Sequence, residues 1–97
     1  MAQFLVSYGI ESSSYNPHQK VLEQASNFGW FKLIKDYKEQ YNILPNTTFI
    51  GWFDDLPSTL QSFLDLIERS RTECHGLLVL ESYVVSEMGA HIFCKLK

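Results

Sequence analysis

Two helix-start signals, each set between apolar runs rich in β-branched and aromatic residues, constrain this chain more than any other feature. Asn16-Pro17 is the first. Asparagine can accept from the unpaired N–H groups of a first turn, and proline suits the first helical position because its missing N–H would be unpaired there anyway. Val21, Leu22, Ala25 and Phe28 follow on one face, and Gly29 is placed to end the helix in a left-handed turn, so the spacing predicts a helix over 17–28. The second signal is Ser58 with Gln61, which has the form of a capping box. Leu60, Phe63, Leu64 and Ile67 then make an amphipathic stripe that predicts a helix over 58–70.

The flanking runs read as strands. Residues 4–10 are apolar and end in the polar run Glu11-Ser12-Ser13-Ser14, as expected of a buried first strand feeding a loop. Residues 47–53 form another, with Gly51 marking a bulge or a close backbone approach, and Asp54-Asp55-Leu56-Pro57 stops it. Residues 77–85 enter as a continuous apolar run, which predicts a central strand, and Ser86-Glu87-Met88-Gly89 turns the chain into a terminal strand over 90–97. Between 30 and 44 the pattern is ambiguous: Trp30, Ile34, Tyr37, Tyr41 and Leu44 fall at helical spacing, yet the run that starts at Phe31 suits a strand. A strand over 31–37 followed by a loop or short helical turn is the favoured reading, with a break at Leu44-Pro45-Asn46.

Strand, helix, strand, strand, helix, strand is the split βαβ order of the ferredoxin-like fold. The expectation is therefore an α+β domain over 1–97, with two helices on one face of an antiparallel sheet, the first strand inside it, and an extra C-terminal strand. Ninety-seven residues, 45% of them hydrophobic, are enough for one core without metals or disulfides, since a chain of this size buries roughly two thirds of its unfolded surface. Phe4, Tyr8, Phe49, Trp52, Phe53, Tyr83 and Phe93 are more aromatic mass than one sheet face needs. The other face is therefore expected to meet a partner, unless loops or residues 38–46 cover it.

The net charge of −3 argues against a protein whose main task is to grip a phosphate backbone. Lys32, Lys35 and Lys38 form the only basic cluster and are diluted by Asp36 and Glu39, so nucleic acid is not a favoured partner. Cys74 and Cys94 lack metal-site spacing and are expected to be buried or half-buried thiols. The start of the chain lacks the features of a signal peptide and no apolar stretch is long enough to cross a membrane, so the expected setting is the cytoplasm.

With these elements in place, the chain resembles the small CRISPR-associated adaptation proteins of nuclease-like fold and their virulence-associated protein D relatives. The resemblance rests on Phe4-Leu5-Val6-Ser7-Tyr8, on Trp30-Phe31 after Gly29, on Thr47-Thr48-Phe49-Ile50, and on the run 77–80. It implies a bacterial or phage setting and a homodimer in which a terminal strand carrying Ala90, Ile92, Phe93, Cys94 and Leu96 completes the partner's sheet. It does not carry the chemistry. The family's metal-binding aspartate after the tyrosine is Gly9 here, and Glu11 stands about 7 Å further along an extended chain.

The leading expectation is thus a non-catalytic, homodimeric binding or regulatory module without a cofactor or metal, acting on a protein partner through Tyr15, Trp52 and Phe53 as aromatic anchors. One alternative is a metal-dependent nuclease using Glu11 with Asp54 or Asp55. Another is a small-molecule-sensing regulatory domain. His18, His75 and His91 are scattered without ligand spacing and read as ordinary histidines.

Overall fold

The computed structural model describes residues 1–11, 16–35, 38, 40–44 and 47–89. Strand β1 (Ala2–Ile10) alternates as a half-covered strand should: Phe4, Val6, Tyr8 and Ile10 are buried on one face, while Leu5, Ser7 and Gly9 keep some exposure on the other. On that buried face lie helices α1 (Pro17–Ala25) and α2 (Leu56–Glu73). Val21 and Ala25 of α1 and Phe63, Leu66 and Ile67 of α2 join β1 in one core with Trp30, Phe49, Cys74 and Leu78.

The chain continues after α1 through a 3-10 turn over Ser26–Phe28, which Gly29 closes at φ 84° as its position predicts. Phe31 then pairs with Ile50 by two backbone hydrogen bonds of 2.7 and 2.8 Å. Strands β2 (Leu33–Lys35) and β3 (Tyr41–Ile43) form a short antiparallel hairpin. Residues 41–43, expected in a loop or helical turn, are therefore a strand. The helical spacing across 30–44 was coincidental, and local ladder pairing decides the outcome. Asp36 and Tyr37, the end of the expected strand, lie outside the described residues.

Strand β4 (Thr48–Phe53) and strand β5 (Leu80–Glu87) flank β1, both antiparallel, giving the order β4–β1–β5. The first strand is inside the sheet as expected, and among the described residues β5 has a strand on one side only, so it is not central there. Its continuous apolar run is split: Leu78 is buried in the core before the strand begins, while Leu77, Val79, Tyr83 and Val84 are exposed. Ser86 and Glu87 extend β5 instead of turning, and the Met88 N–H still donates to the Gln3 carbonyl at 2.8 Å.

Helix α2 begins two residues before its predicted start. Asp55 is the cap, accepting from the Ser58 N–H at 2.8 Å, with proline in the first turn. The Ser58–Gln61 box does not form, and Gln61 donates to Asp65 instead. A carboxylate is a stronger acceptor than a hydroxyl, and Pro57 leaves no N–H to satisfy, so the earlier cap prevails. Gly51 marks a close approach with no bulge: a Cβ there would sit 2.6 Å from the Gly29 carbonyl oxygen.

The face opposite the helices holds less aromatic mass than its sequence suggests. Phe4, Tyr8, Phe49, Phe53 and Tyr83 share the helix-side parity of their strands, which leaves Trp52 on the other side. Leu44, from the end of the hairpin, covers Ile50 there, together with Leu5 and Met88. Phe93 and the terminal strand over 90–97 lie outside the described residues.

Candidate functional site

Each expected site residue has a distinct fate. Trp52 is 47% exposed and Phe31 44%, and their rings stand 6.2 Å apart in a tilted pair, so Trp52 belongs to a surface aromatic patch. Phe53, one residue on, points inward against Trp30 at 4.9 Å and Phe4 at 6.4 Å. It is partly buried and packs against the core, on the side opposite Trp52, because neighbours on a strand face opposite ways. Tyr15 lies outside the described residues, as do Ala90, Ile92, Phe93, Cys94 and Leu96.

The acidic set of the nuclease alternative is not brought together. Phe53, just before Asp54 and Asp55, pairs with Ala2, whereas Glu11 follows the far end of β1 and donates its N–H to Val79. The length of β1 separates them, about 26 Å at roughly 3.3 Å per residue. Among the described residues no three His, Cys, Asp or Glu side chains cluster as metal ligands. No described helix is long and apolar enough to cross a membrane.

What the fold does assemble is a cleft at the end of β1 next to the start of α1. Tyr8, His18, Leu22, Lys32 and Thr47 line a cavity of about 240 Å³. Tyr8 is only 6% exposed, its ring parallel to that of Phe49 at 5.8 Å and tilted against Phe63 at 5.6 Å. Its hydroxyl makes no hydrogen bond among the described residues and is not among the buried polar atoms sealed off without a partner. Burial pushes the phenol's pKa well above its ordinary value, so it remains a donor at any physiological pH. Lys32 is half-buried beside this cleft. Its Nζ donates to the Thr48 carbonyl at 3.3 Å and sits 5.1 Å over the Phe49 ring, and this partial burial lowers its pKa. Thr47 adopts φ 64°, a left-handed conformation costly for a β-branched residue, while its carbonyl accepts from the Tyr8 N–H at 3.0 Å.

A second, larger cavity of about 540 Å³ adjoins the first, sharing Leu22 and Lys32 as walls. Ala25, Trp30, Phe49 and Trp52 help to line it, so it is apolar and aromatic. Neither cavity was legible in the sequence. Tyr8 and Lys32 are 24 positions apart, each with an ordinary local explanation, and only the β1–α1–Phe31 path joins them.

The outer edge of β5 is the other candidate surface. Met88 donates to Gln3, which by ladder alternation turns the backbone groups of Ser82, Val84 and Ser86 toward β1 and those of Tyr83, Val85 and Glu87 outward. Among the described residues no strand pairs with these outward groups. Val84 is 63% exposed on the face away from the helices, and Tyr83 is exposed on the helix side while contacting Phe63 at 5.5 Å.

Comparison of the chain with protein-family models, curated proteins and solved structures gave no match.

Proposed function

We propose that this protein is a non-catalytic binding module that acts as a homodimer. The observation that carries the reading is the β5 edge: an eight-residue strand whose alternate N–H and C=O groups, those of Tyr83, Val85 and Glu87, point outward with no strand paired to them among the described residues, and whose apolar side chains are exposed on both faces. An edge of this kind is a template for another strand, and a monomer would blunt it with lysine, proline or a bulge at its middle. A second copy is the simplest occupant, because a two-fold axis through Tyr83 pairs the same edge with itself and sets Glu81 opposite Val85. An axis through Val84 would instead set Glu81 opposite Glu87, a repulsive like-charge pair. The exposed Phe31–Trp52 pair remains for a protein partner of the dimer.

The order β4–β1–β5, with Phe31 pairing outside β4, supports a ferredoxin-like split βαβ arrangement. That arrangement is the part of the resemblance to the CRISPR-adaptation and virulence-associated proteins on which a defence-related, bacterial or phage setting rests. The test is amide hydrogen exchange by NMR. In the dimer the amides of Tyr83, Val85 and Glu87 are protected and lose protection on dilution, while those of Ser82, Val84 and Ser86 stay protected throughout. Outward amides that exchange fast at every concentration rule out pairing along this edge.

A further inference from the structure

We propose that the cavity between α1 and β4 binds a neutral, flat aromatic molecule bearing a carbonyl group, whose oxygen accepts from the Trp30 Nε1–H while its ring packs between the aromatic walls. The proposal goes beyond the self-association reading and does not depend on it.

The inference starts from a donor. Trp30 is 1% exposed, and its Nε1–H is the one buried side-chain polar group without a hydrogen-bond partner among the described residues. Folded proteins rarely leave such a group unpaired, because it forfeits its bond to water for no bond in return, and each exception asks for a reason. The indole packs on Phe53 at 4.9 Å and edge-on to Phe63 at 6.3 Å, and the Trp30 backbone N–H donates to the Ala25 carbonyl at 3.0 Å. These contacts hold the ring in the core, so its N–H is not paired by turning outward.

Trp30 is also a wall of the 540 Å³ cavity, with Leu22, Ala25, Phe31, Phe49 and Trp52. That volume falls within the range of small-molecule sites, which combine an apolar body with a few polar groups that fix orientation. Flat indole and phenyl walls favour a flat ring, for which offset packing adds to burial. The Nε1–H has no contact with solvent, so a ligand reaches it by spreading the walls. Phe31 and Trp52 are about half-exposed, and side chains with that exposure change rotamer readily.

The chemistry of the donor decides the class of ligand. An indole N–H gives one hydrogen bond and carries no charge, so it matches a neutral acceptor. A carboxylate set against the same apolar walls would lose its hydration, a cost that one neutral donor does not offset. Lys32 also reaches the cavity, but its ammonium is engaged with the Thr48 carbonyl and the Phe49 ring, so it is not counted as a counter-ion. A hydrocarbon would fill the space and leave the N–H unpaired. A carbonyl on an aromatic ring meets both demands.

The test titrates the full-length, isotope-labelled protein with 1-indanone and with indane, which has the same rings and no carbonyl, followed by NMR. Trp30 and Trp52 are the only two tryptophans, so two indole N–H signals report on the cavity, and the half-exposed Trp52→Phe variant assigns them. Saturable binding of 1-indanone is expected, with the Trp30 indole signal moving downfield as its hydrogen bond forms. Indane is expected to bind more weakly by about fivefold to hundredfold, the value of satisfying a buried donor. The charged indane-2-carboxylate is also expected to bind more weakly than the ketone. The ligand pair takes the place of a Trp30 variant, which would hollow the core. The proposal is overturned if 1-indanone fails to saturate, if indane binds as tightly, if the Trp30 indole signal is unmoved at saturation, or if the carboxylate binds better than the ketone.

Discussion

Replacing Gly51 by alanine tests the closest contact in the fold, the approach of β4 to the turn after α1. The added Cβ would lie 2.6 Å from the Gly29 carbonyl oxygen and 2.6 Å from the Phe53 ring. The ring can tilt, but the carbonyl belongs to a turn held by the Gly29 N–H to Ser26 bond and by Phe31 pairing with Ile50. Overpacking costs about 1–3 kcal/mol, and a rigid backbone neighbour places this site at the upper end. Loss of glycine's freedom in the unfolded chain offsets about 0.4–1 kcal/mol. The net destabilisation is then about 2 kcal/mol, a fall in Tm of about 8–16 °C for a domain of this size. Gly9→Ala is the internal control: its nearest neighbour is the Ser82 hydroxyl at 3.3 Å, which can rotate away, so its Tm is expected within about 4 °C of wild type. Thermal melts of the three proteins by circular dichroism decide the matter. A Gly51→Ala protein as stable as wild type would refute the backbone contact and the packing of the α1 exit on β4.

Three further predictions follow from the core and the caps. Phe63→Ala, at a fully buried ring that touches Tyr8, Trp30 and Tyr83, is expected to cost about 3–5 kcal/mol in urea denaturation; a loss below about 1 kcal/mol would mean that the core is not centred there. Tyr8→Phe is expected to retain or raise stability in the same assay, since its hydroxyl has no described partner, and a marked loss would contradict that. The hydrogen bond from Ser58 holds the Asp55 carboxyl below the usual range, so its contribution is present above the unfolded value of about 3.9 and is lost as pH falls through the lower folded value. Asp55→Asn keeps a capping acceptor but removes that acid dependence. The stability difference from wild type, measured by urea midpoint, should therefore shrink toward low pH, and a constant difference would refute the cap as drawn.

Much of the layer structure was legible because it depends on local chemistry. Asn16-Pro17 and Gly29 bracket the first helical segment, and the parity of Phe4, Val6, Tyr8 and Ile10 gives β1 its buried face. The misreadings are places where competing partners were not visible. Ser58 looked like a cap, but Asp55, a charged acceptor three residues earlier, accepts from the Ser58 N–H and draws Ser58 into the first turn. The run 77–85 looked central because a continuous apolar stretch signals burial on both faces, whereas Leu78 alone enters the core and Val79, Tyr83 and Val84 remain exposed. Trp52 and Phe53 were equivalent as aromatics, and the pairing of Phe53 with Ala2 and of Trp52 with Gln3 separates them by face. The cleft depends on Tyr8, His18, Lys32 and Thr47 meeting across four segments, and no periodicity within one element encodes such a meeting.

The central claim is that β5 is the seam of a homodimer, and the most direct test is the molar mass in solution by light scattering. The measurement takes the full-length protein and its Val84→Lys variant over a range of concentrations. Val84 is 63% exposed, so a lysine there perturbs the seam and not the core. The account predicts a mass about twice the 11.3 kDa of one chain for the wild type, shifting toward one chain in Val84→Lys with the melt unchanged at low concentration. A wild-type protein that stays at the mass of one chain at every concentration contradicts the account.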